Sequence, residues 1–287
     1  MLYFLISFAI SIILVPIFGK LALKYNFVEK KERVIPYLGG MGLFVSLTFV
    51  VPFDLLVKSS LTILAILGMF EDVKGTFFKF YYLFVFLSSI IITFKYVSSF
   101  YIMFGFLIAF FIISIFKEID HFDGLGSSLS IFSGVGLYFL VTSSYDKLLI
   151  LSLLGSLFAF TFYNFPPARI QLGKIGLYLI GGVIAIGVLS SSRGGISHLI
   201  PSFVVITPIF LEAIPYLINK PKYSLSLRIM RIVKEKKRML YLIWIVSGLY
   251  LLISLSLYFG LFSSEFVYMF YIIYTIFLLL ISKEVVK

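Results

Sequence analysis

The sequence has no cysteine, which excludes disulfides and thiolate metal sites. Histidine is confined to His121 and His198. Charge is scarce: 13% of residues are charged, and only 13 are acidic against 24 basic ones. Apolar residues make up 61% of the 287, and the mean hydropathy is +1.11. A soluble chain of this size could not hide so much apolar surface, so composition points to a polytopic membrane protein. No internal repeat, low-complexity linker or soluble domain stands out, and residues 1–287 read as a single transmembrane domain.

A spanning helix needs about 20 apolar residues. Eleven segments are read here: roughly 1–19, 37–57, 58–70, 80–94, 99–116, 128–143, 147–163, 175–190, 196–218, 239–261 and 265–282. With the N-terminus outside, the odd-numbered loops and the C-terminus face the cytoplasm. Of the 24 Lys and Arg, only Lys58, Lys95, Lys147 and Arg193 then fall outside. That asymmetry obeys the positive-inside rule and supports eleven helices. The first segment lacks a basic region before its apolar run, and Phe18-Gly19-Lys20 is a poor cleavage site, so it reads as a retained helix. The net charge of +11 sits on the cytoplasmic loops. It reads as topology plus attraction to anionic lipid, and speaks against a nucleic-acid partner.

Acidic residues gather on the same side. Glu29 and Glu32 lie in the first inner loop, Glu71 and Asp72 in the second, and Glu118, Asp120 and Asp123 in the third. Outside are Asp54, Asp146 and Glu265. Carboxylates at the ends of apolar helices are costly unless paired or metal-bound. Adjacent acids such as Glu71-Asp72 suit a hard cation like Mg²⁺, which prefers oxygen ligands. Taken alone, Asp123-Gly124 is a turn signal, and Gly39-Gly40 after Pro36 is a helix start that permits close backbone approach. The ninth loop places Leu225, Ile229, Ile232 and Val233 at helical spacing, with Arg228, Arg231, Lys234, Lys237 and Arg238 on other faces. This is a basic amphipathic helix suited to anionic lipid, or to gripping a phosphate. Glu212 lies inside the ninth apolar run, where an ionisable group invites a functional reading.

The most specific segment is the fourth inner loop, Tyr163-Asn164-Phe165-Pro166-Pro167-Ala168-Arg169-Ile170-Gln171-Leu172-Gly173-Lys174-Ile175-Gly176. It resembles the Asn-Phe-x-Pro-Ala-Lys-x-Phe-x-Gly-Asp-x-Gly-Ser loop of the polyprenyl-phosphate N-acetylhexosamine-1-phosphate transferase superfamily (glycosyltransferase family 4). That superfamily includes the phospho-MurNAc-pentapeptide translocase and the undecaprenyl-phosphate GlcNAc-1-phosphate transferases. Pro36, Gly39 and Gly40 resemble the family's Pro-Arg-x-Gly-Gly, and Glu71-Asp72 its Asp-Asp. Lys117 through Gly126 resembles its Asn-x-x-Asn-x-x-Asp-Gly-x-Asp-Gly. The four matches come in the family's order and on one side of the membrane.

The resemblance implies an all-α, eleven-helix protein of the plasma membrane with its active face cytoplasmic. It implies transfer of a sugar-1-phosphate from a UDP-sugar to a polyprenyl phosphate, with Mg²⁺ as cofactor. The bilayer, polyprenyl phosphate and a nucleotide sugar are the implied partners, and a homodimer is implied by resemblance only. Asp72 and Asp123 would be catalytic acids and, with Glu71 and Asp120, metal ligands. Asn164, Arg169, Lys174 and Gly124 would meet substrate. The chain also departs from the family. Lys174 stands where the family has a metal-ligating Asp, Lys117 and Asp120 replace its two Asn, Gly126 replaces its second Asp, and residues 220–240 hold no histidine. Two arrangements are open for Lys174: an ammonium in place of the metal, or a side chain turned to water that leaves Asp72 and Asp123 to bind one. Two functions are correspondingly open: a transferase with a rebuilt site, or an inactive relative that binds lipid phosphate or a partner.

Overall fold

The computed structural model describes residues 1–30, 34–50, 54–74, 80–98 and 101–284. Glu32 of the first inner loop, and Lys31, Arg33, Lys79 and Lys287 among the 24 Lys and Arg, lie outside the described residues. Among the described residues twelve α-helices follow one another: α1 Leu2–Lys24, α2 Gly39–Val50, α3 Leu55–Lys74, α4 Tyr81–Tyr96, α5 Ile102–Phe116, α6 Leu125–Leu140, α7 Ser144–Asn164, α8 Gly173–Ser192, α9 Ile196–Leu217, α10 Leu225–Val233, α11 Lys236–Phe259 and α12 Ser264–Glu284. All but α10 fall on the eleven expected segments. Five are long and apolar enough to cross a membrane: α1, α7, α8, α9 and α11. Helices α2, α4, α5 and α6 and residues 264–279 of α12 are apolar but shorter. One short antiparallel ribbon departs from the all-helical plan. It joins β1 Val28–Lys30 to β2 Val34–Pro36, with Glu29 opposite Ile35.

Helix α8 is the axis. It is apolar all round and almost wholly buried, the pattern of a helix inside a bundle rather than at its edge. Helices α2, α3, α4, α5, α6, α7 and α9 surround it. Gly181 and Ala185, a small-residue pair able to pack two helices, are spent inside the chain: Ala185 is buried and Gly181 faces Phe116. By contrast α1 is two-faced. Ser7, Ser11, Val15, Gly19 and Ala22 form a buried small-residue stripe, and α1 packs on α7 and α2. Its other side exposes Leu5, Ile13, Ile17 and Leu23, as a lipid-facing surface would.

A second, smaller core joins α9 to α12 through Val204, Leu225, Val246, Tyr250, Ile253 and Val267. Helix α9 contains Pro201, Pro208 and Pro215. Hydroxyls on neighbouring helices reach its backbone: Ser254 Oγ donates to the Pro201 carbonyl at 2.8 Å and Ser133 Oγ to that of Val205 at 3.3 Å.

Candidate active site

One expected loop is more regular than the sequence suggested, and the amphipathic helix expected in the ninth loop is present as α10. Glu71 and Asp72 lie on the last turn of α3, not in a loop. The tenth helix is docked on the bundle: Leu225 is buried, Ile229 and Val233 pack against the cores, and Ile232 is left exposed. What holds α10 is Glu212, fully buried in α9. Its carboxylate accepts the Ser226 N–H at 2.8 Å and the Ser226 hydroxyl at 2.6 Å. Arg228 donates to the Leu278 carbonyl of α12 at 3.1 Å. Burial holds its guanidinium below its ordinary value, and the charge of Glu212 opposes that shift.

The four motif segments meet around the N-terminus of α8. The fourth loop contains a cis Pro166-Pro167 bond. Its start is folded back by the Arg169 and Ile170 N–H groups, which donate to the Tyr163 carbonyl at 2.8 and 3.2 Å. It then runs beside the first segment. Gln171 N–H donates to the Pro36 carbonyl at 2.9 Å, Gly39 N–H to Gln171 at 3.1 Å and Gly40 N–H to Leu172 at 2.8 Å. Gly173 turns the chain into α8 with φ +68°, in the left-handed region that glycine tolerates best.

Asp72 meets that turn from α3. Its Oδ1 accepts the Lys174 N–H at 2.9 Å and its Oδ2 the Ile175 N–H at 3.4 Å. The first N–H groups of a helix lack internal partners and favour an anion, so Asp72 caps α8 from another helix. Tyr37 braces the same corner by donating its hydroxyl to the Asp72 carbonyl at 3.0 Å. Glu71 points elsewhere, because neighbours in a helix do not share a face. It is buried and accepts the Tyr178 hydroxyl at 2.5 Å. Tyr178 follows Lys174 by four residues on α8 and so lies on the same face. That spacing was the available signal for a residue the motif comparison missed.

Lys174 is turned inward. Its ammonium donates to the Lys117 carbonyl at 2.9 Å, at the C-terminal cap of α5, and its charge acts on both Glu71 and Asp72. A cation suits that end of a helix dipole. Lys117 itself lies 3.7 Å from Glu118 and 4.3 Å from the Tyr81 ring centre. Of the two arrangements open for Lys174, the side chain is not turned to water: its ammonium is bonded to the Lys117 carbonyl.

The third loop joins through Asn164. Its Oδ1 accepts the Gly124 N–H at 3.0 Å and the Ser127 hydroxyl at 3.2 Å, and its Nδ2 donates to the Ile170 carbonyl at 3.1 Å. Asn164 is fully buried, so it fastens two loops from within. Asn164→Ala should cost about 1–3 kcal/mol for each buried group left unpaired, seen as a lower unfolding temperature in detergent. Gly124 is the N-cap of α6, at φ +77°. Asp123 Oδ2 accepts the Ala168 N–H at 3.1 Å. Arg169, next in sequence, is exposed. Asp120 lies over Gly126: a Cβ at 126 would stand 3.2 Å from its Oδ1. Its carboxylate thus sits beside the position where the resembled motif has its second Asp. His121 stacks on Tyr216 with ring centres 3.6 Å apart, bringing the third loop beside the end of α9.

These donors do not fit Mg²⁺ as they stand. Asp72 is committed to two backbone N–H groups, Glu71 to Tyr178, and one oxygen of Asp123 to Ala168. Among the described residues no three acidic or histidine side chains are grouped to hold a metal. The ammonium of Lys174 already compensates the α3 acids.

The description Glycosyl transferase family 4 matches residues 54–192, which include the second, third and fourth of these segments. Over 246 residues the chain is 24% identical to a probable undecaprenyl-phosphate N-acetylglucosaminyl 1-phosphate transferase of Bacillus subtilis (strain 168). The similarity covers 74% of this chain and 67% of that relative. These two matches, with the motif loops assembled at one helix end, make the chain similar to glycosyl transferase family 4 over its middle half.

Proposed function

We propose that the chain transfers a sugar-1-phosphate from a UDP-sugar to a polyprenyl phosphate. Residues 1–287 act as one transmembrane domain with eleven crossings, the N-terminus outside and the assembled loops at the cytoplasmic face of the plasma membrane. The observation that carries this reading is the convergence of four distant segments on the N-terminus of α8, with Lys174 and Arg169 on the same loop. An oxygen of the lipid phosphate forms a bond to the sugar-bearing phosphorus. The bond from that phosphorus to the nucleotide's phosphate breaks, and UMP leaves.

Both reactants are anions, so catalysis is mainly positioning and charge compensation. Lys174 and Arg169 supply positive charge to the diphosphate, Arg169 through its planar fork of donors. Asp123 keeps one oxygen beyond its bond to Ala168 and is the acid assigned to the reaction itself. Asp72 acts by setting Lys174 and the first turn of α8. Asn164 and Gly124 hold the two loops in register. Because the donors do not fit Mg²⁺, no step is assigned to it.

A second reading is an inactive relative that retains lipid-phosphate or partner binding. It is favoured by Lys174 in the place of a family carboxylate. Release of UMP from UDP-GlcNAc by purified protein, with undecaprenyl phosphate as acceptor, separates the two. Release by the native chain, lost in Asp123→Asn, is the expected result. Silence in the native chain with release by Lys174→Asp would identify a transferase disarmed at one position. Silence in both would favour the binding protein.

A further inference from the structure

At the other end of α8 the structure holds a groove that the transfer reaction does not use. Twenty helical residues span about 30 Å, so this end is far from Lys174. The cavity is about 890 Å³ and lies between the α4–α5 junction and the turn from α8 into α9. That volume falls within the range of ligand sites, roughly 300–1,000 Å³. Its walls are largely apolar, with Phe104, Ile108, Leu189 and Leu199 among them, and Phe104 and Ile196 are strongly exposed at its rim.

One cation stands in the wall. Arg193 donates through Nε to the Tyr96 carbonyl at 3.1 Å and through a terminal nitrogen to the Lys95 carbonyl, and it lies 5.0 Å from the Tyr96 ring centre. A guanidinium has five N–H donors, so these bonds leave most of them for a further acceptor. The neighbouring acids are committed elsewhere. Asp54 pairs with Lys95. Asp146 accepts the Tyr96 hydroxyl at 2.5 Å and the Ser190 hydroxyl at 2.6 Å. Among the described residues, no acid lines the groove.

We propose that this groove binds an anionic phospholipid, with the phosphate on Arg193 and an acyl chain along the apolar wall. Charge complementarity selects the head, since a guanidinium matches a phosphate through paired N–H donors. The apolar trough selects an amphiphile over a free anion. The site is independent of the transferase reading. The competing explanation is that Arg193 only caps the last carbonyls of α4, a role indifferent to lipid charge.

The test places a reporter in the groove and nowhere else. In the full chain, Trp244→Phe removes the native tryptophan and Phe104→Trp introduces one at the rim. Reconstitution with brominated phosphatidylglycerol or brominated phosphatidylcholine then reads lipid contact as fluorescence quenching. The anionic lipid should show about fivefold higher apparent affinity, and Arg193→Gln should abolish the difference. If Arg193→Gln does not elute as folded protein, the Arg193 protein is titrated at low and high salt, where the anionic preference should fall with screening. Equal quenching by the two lipids in the Arg193 protein would overturn the proposal. So would a preference that persists in folded Arg193→Gln, or one that salt leaves unchanged.

Discussion

Lys174→Asp is expected to turn a protein indifferent to Mg²⁺ into one that needs it for full stability. In the native chain the ammonium donates to the Lys117 carbonyl and compensates Glu71 and Asp72. The substitution removes that cation and adds a carboxylate on the residue whose backbone N–H is held by Asp72 at 2.9 Å. Without metal, three acids then crowd one corner of low dielectric, and like charges at such distances repel strongly. With Mg²⁺ the same three acids form an oxygen-rich site of the kind that ion prefers. A ligand at a hundred times its dissociation constant stabilises the folded state by about 2.7 kcal/mol. The measurement is thermal unfolding in detergent with Mg²⁺ or with chelator. Native protein should show no Mg²⁺-dependent shift. Lys174→Asp should unfold well below native protein in chelator and recover much of the difference in Mg²⁺. An equal Mg²⁺ shift in native protein would mean that its carboxylates bind the ion despite Lys174.

The same residues show why the site was only partly legible in the sequence. Helix positions follow from apolar runs, which is a local property, and α1 through α9 fall where those runs lie. The fourth loop was recognisable because Asn164, Gly173 and Gly176 keep a fixed spacing. Their tasks were not recognisable. Asn164 was expected to meet substrate, yet its amide is buried among Gly124, Ser127 and Ile170. That use depends on the third loop lying beneath it, a contact between residues 40 apart in sequence. Glu71 and Asp72 look like one pair when written in a row. On the last turn of α3 they diverge, one to Tyr178 and the other to the start of α8. Glu212 drew a functional reading for being ionisable inside an apolar run. Its partner, Ser226, lies 14 residues on, across a 3-10 turn at Pro221–Tyr223. Sequence periodicity reports which face of a helix is apolar, but not which other helix will meet a given polar residue.

Gly40→Ala should be among the most damaging single changes in the chain, although helix propensity alone predicts the opposite. Gly40 lies in the first turn of α2, where alanine is favoured over glycine by roughly 0.5–1 kcal/mol. Its α-carbon, however, faces backbone. An added Cβ would stand 2.1 Å from the Gly176 nitrogen, 2.5 Å from the Gly176 α-carbon and 2.8 Å from the Leu172 carbonyl oxygen. Backbone inside a packed bundle cannot swing aside as a side-chain tip can. Overpacking typically costs about 1–3 kcal/mol, which exceeds the propensity gain. Here the displacement would also pull apart the Gly40 N–H bond to Leu172 and shift the start of α8, and with it Lys174. Gly248→Ala in α11 is the matched control. Its Cβ would meet only Phe132, at an ordinary 3.7 Å, so propensity should decide and the variant should be as stable as native protein or more so. Unfolding temperatures of the two variants, with UMP release measured alongside, check the contrast. Gly40→Ala should lose both stability and turnover while Gly248→Ala keeps them. Equal behaviour of the two would mean that α2 and α8 do not approach as closely as Gly40 and Gly176 require.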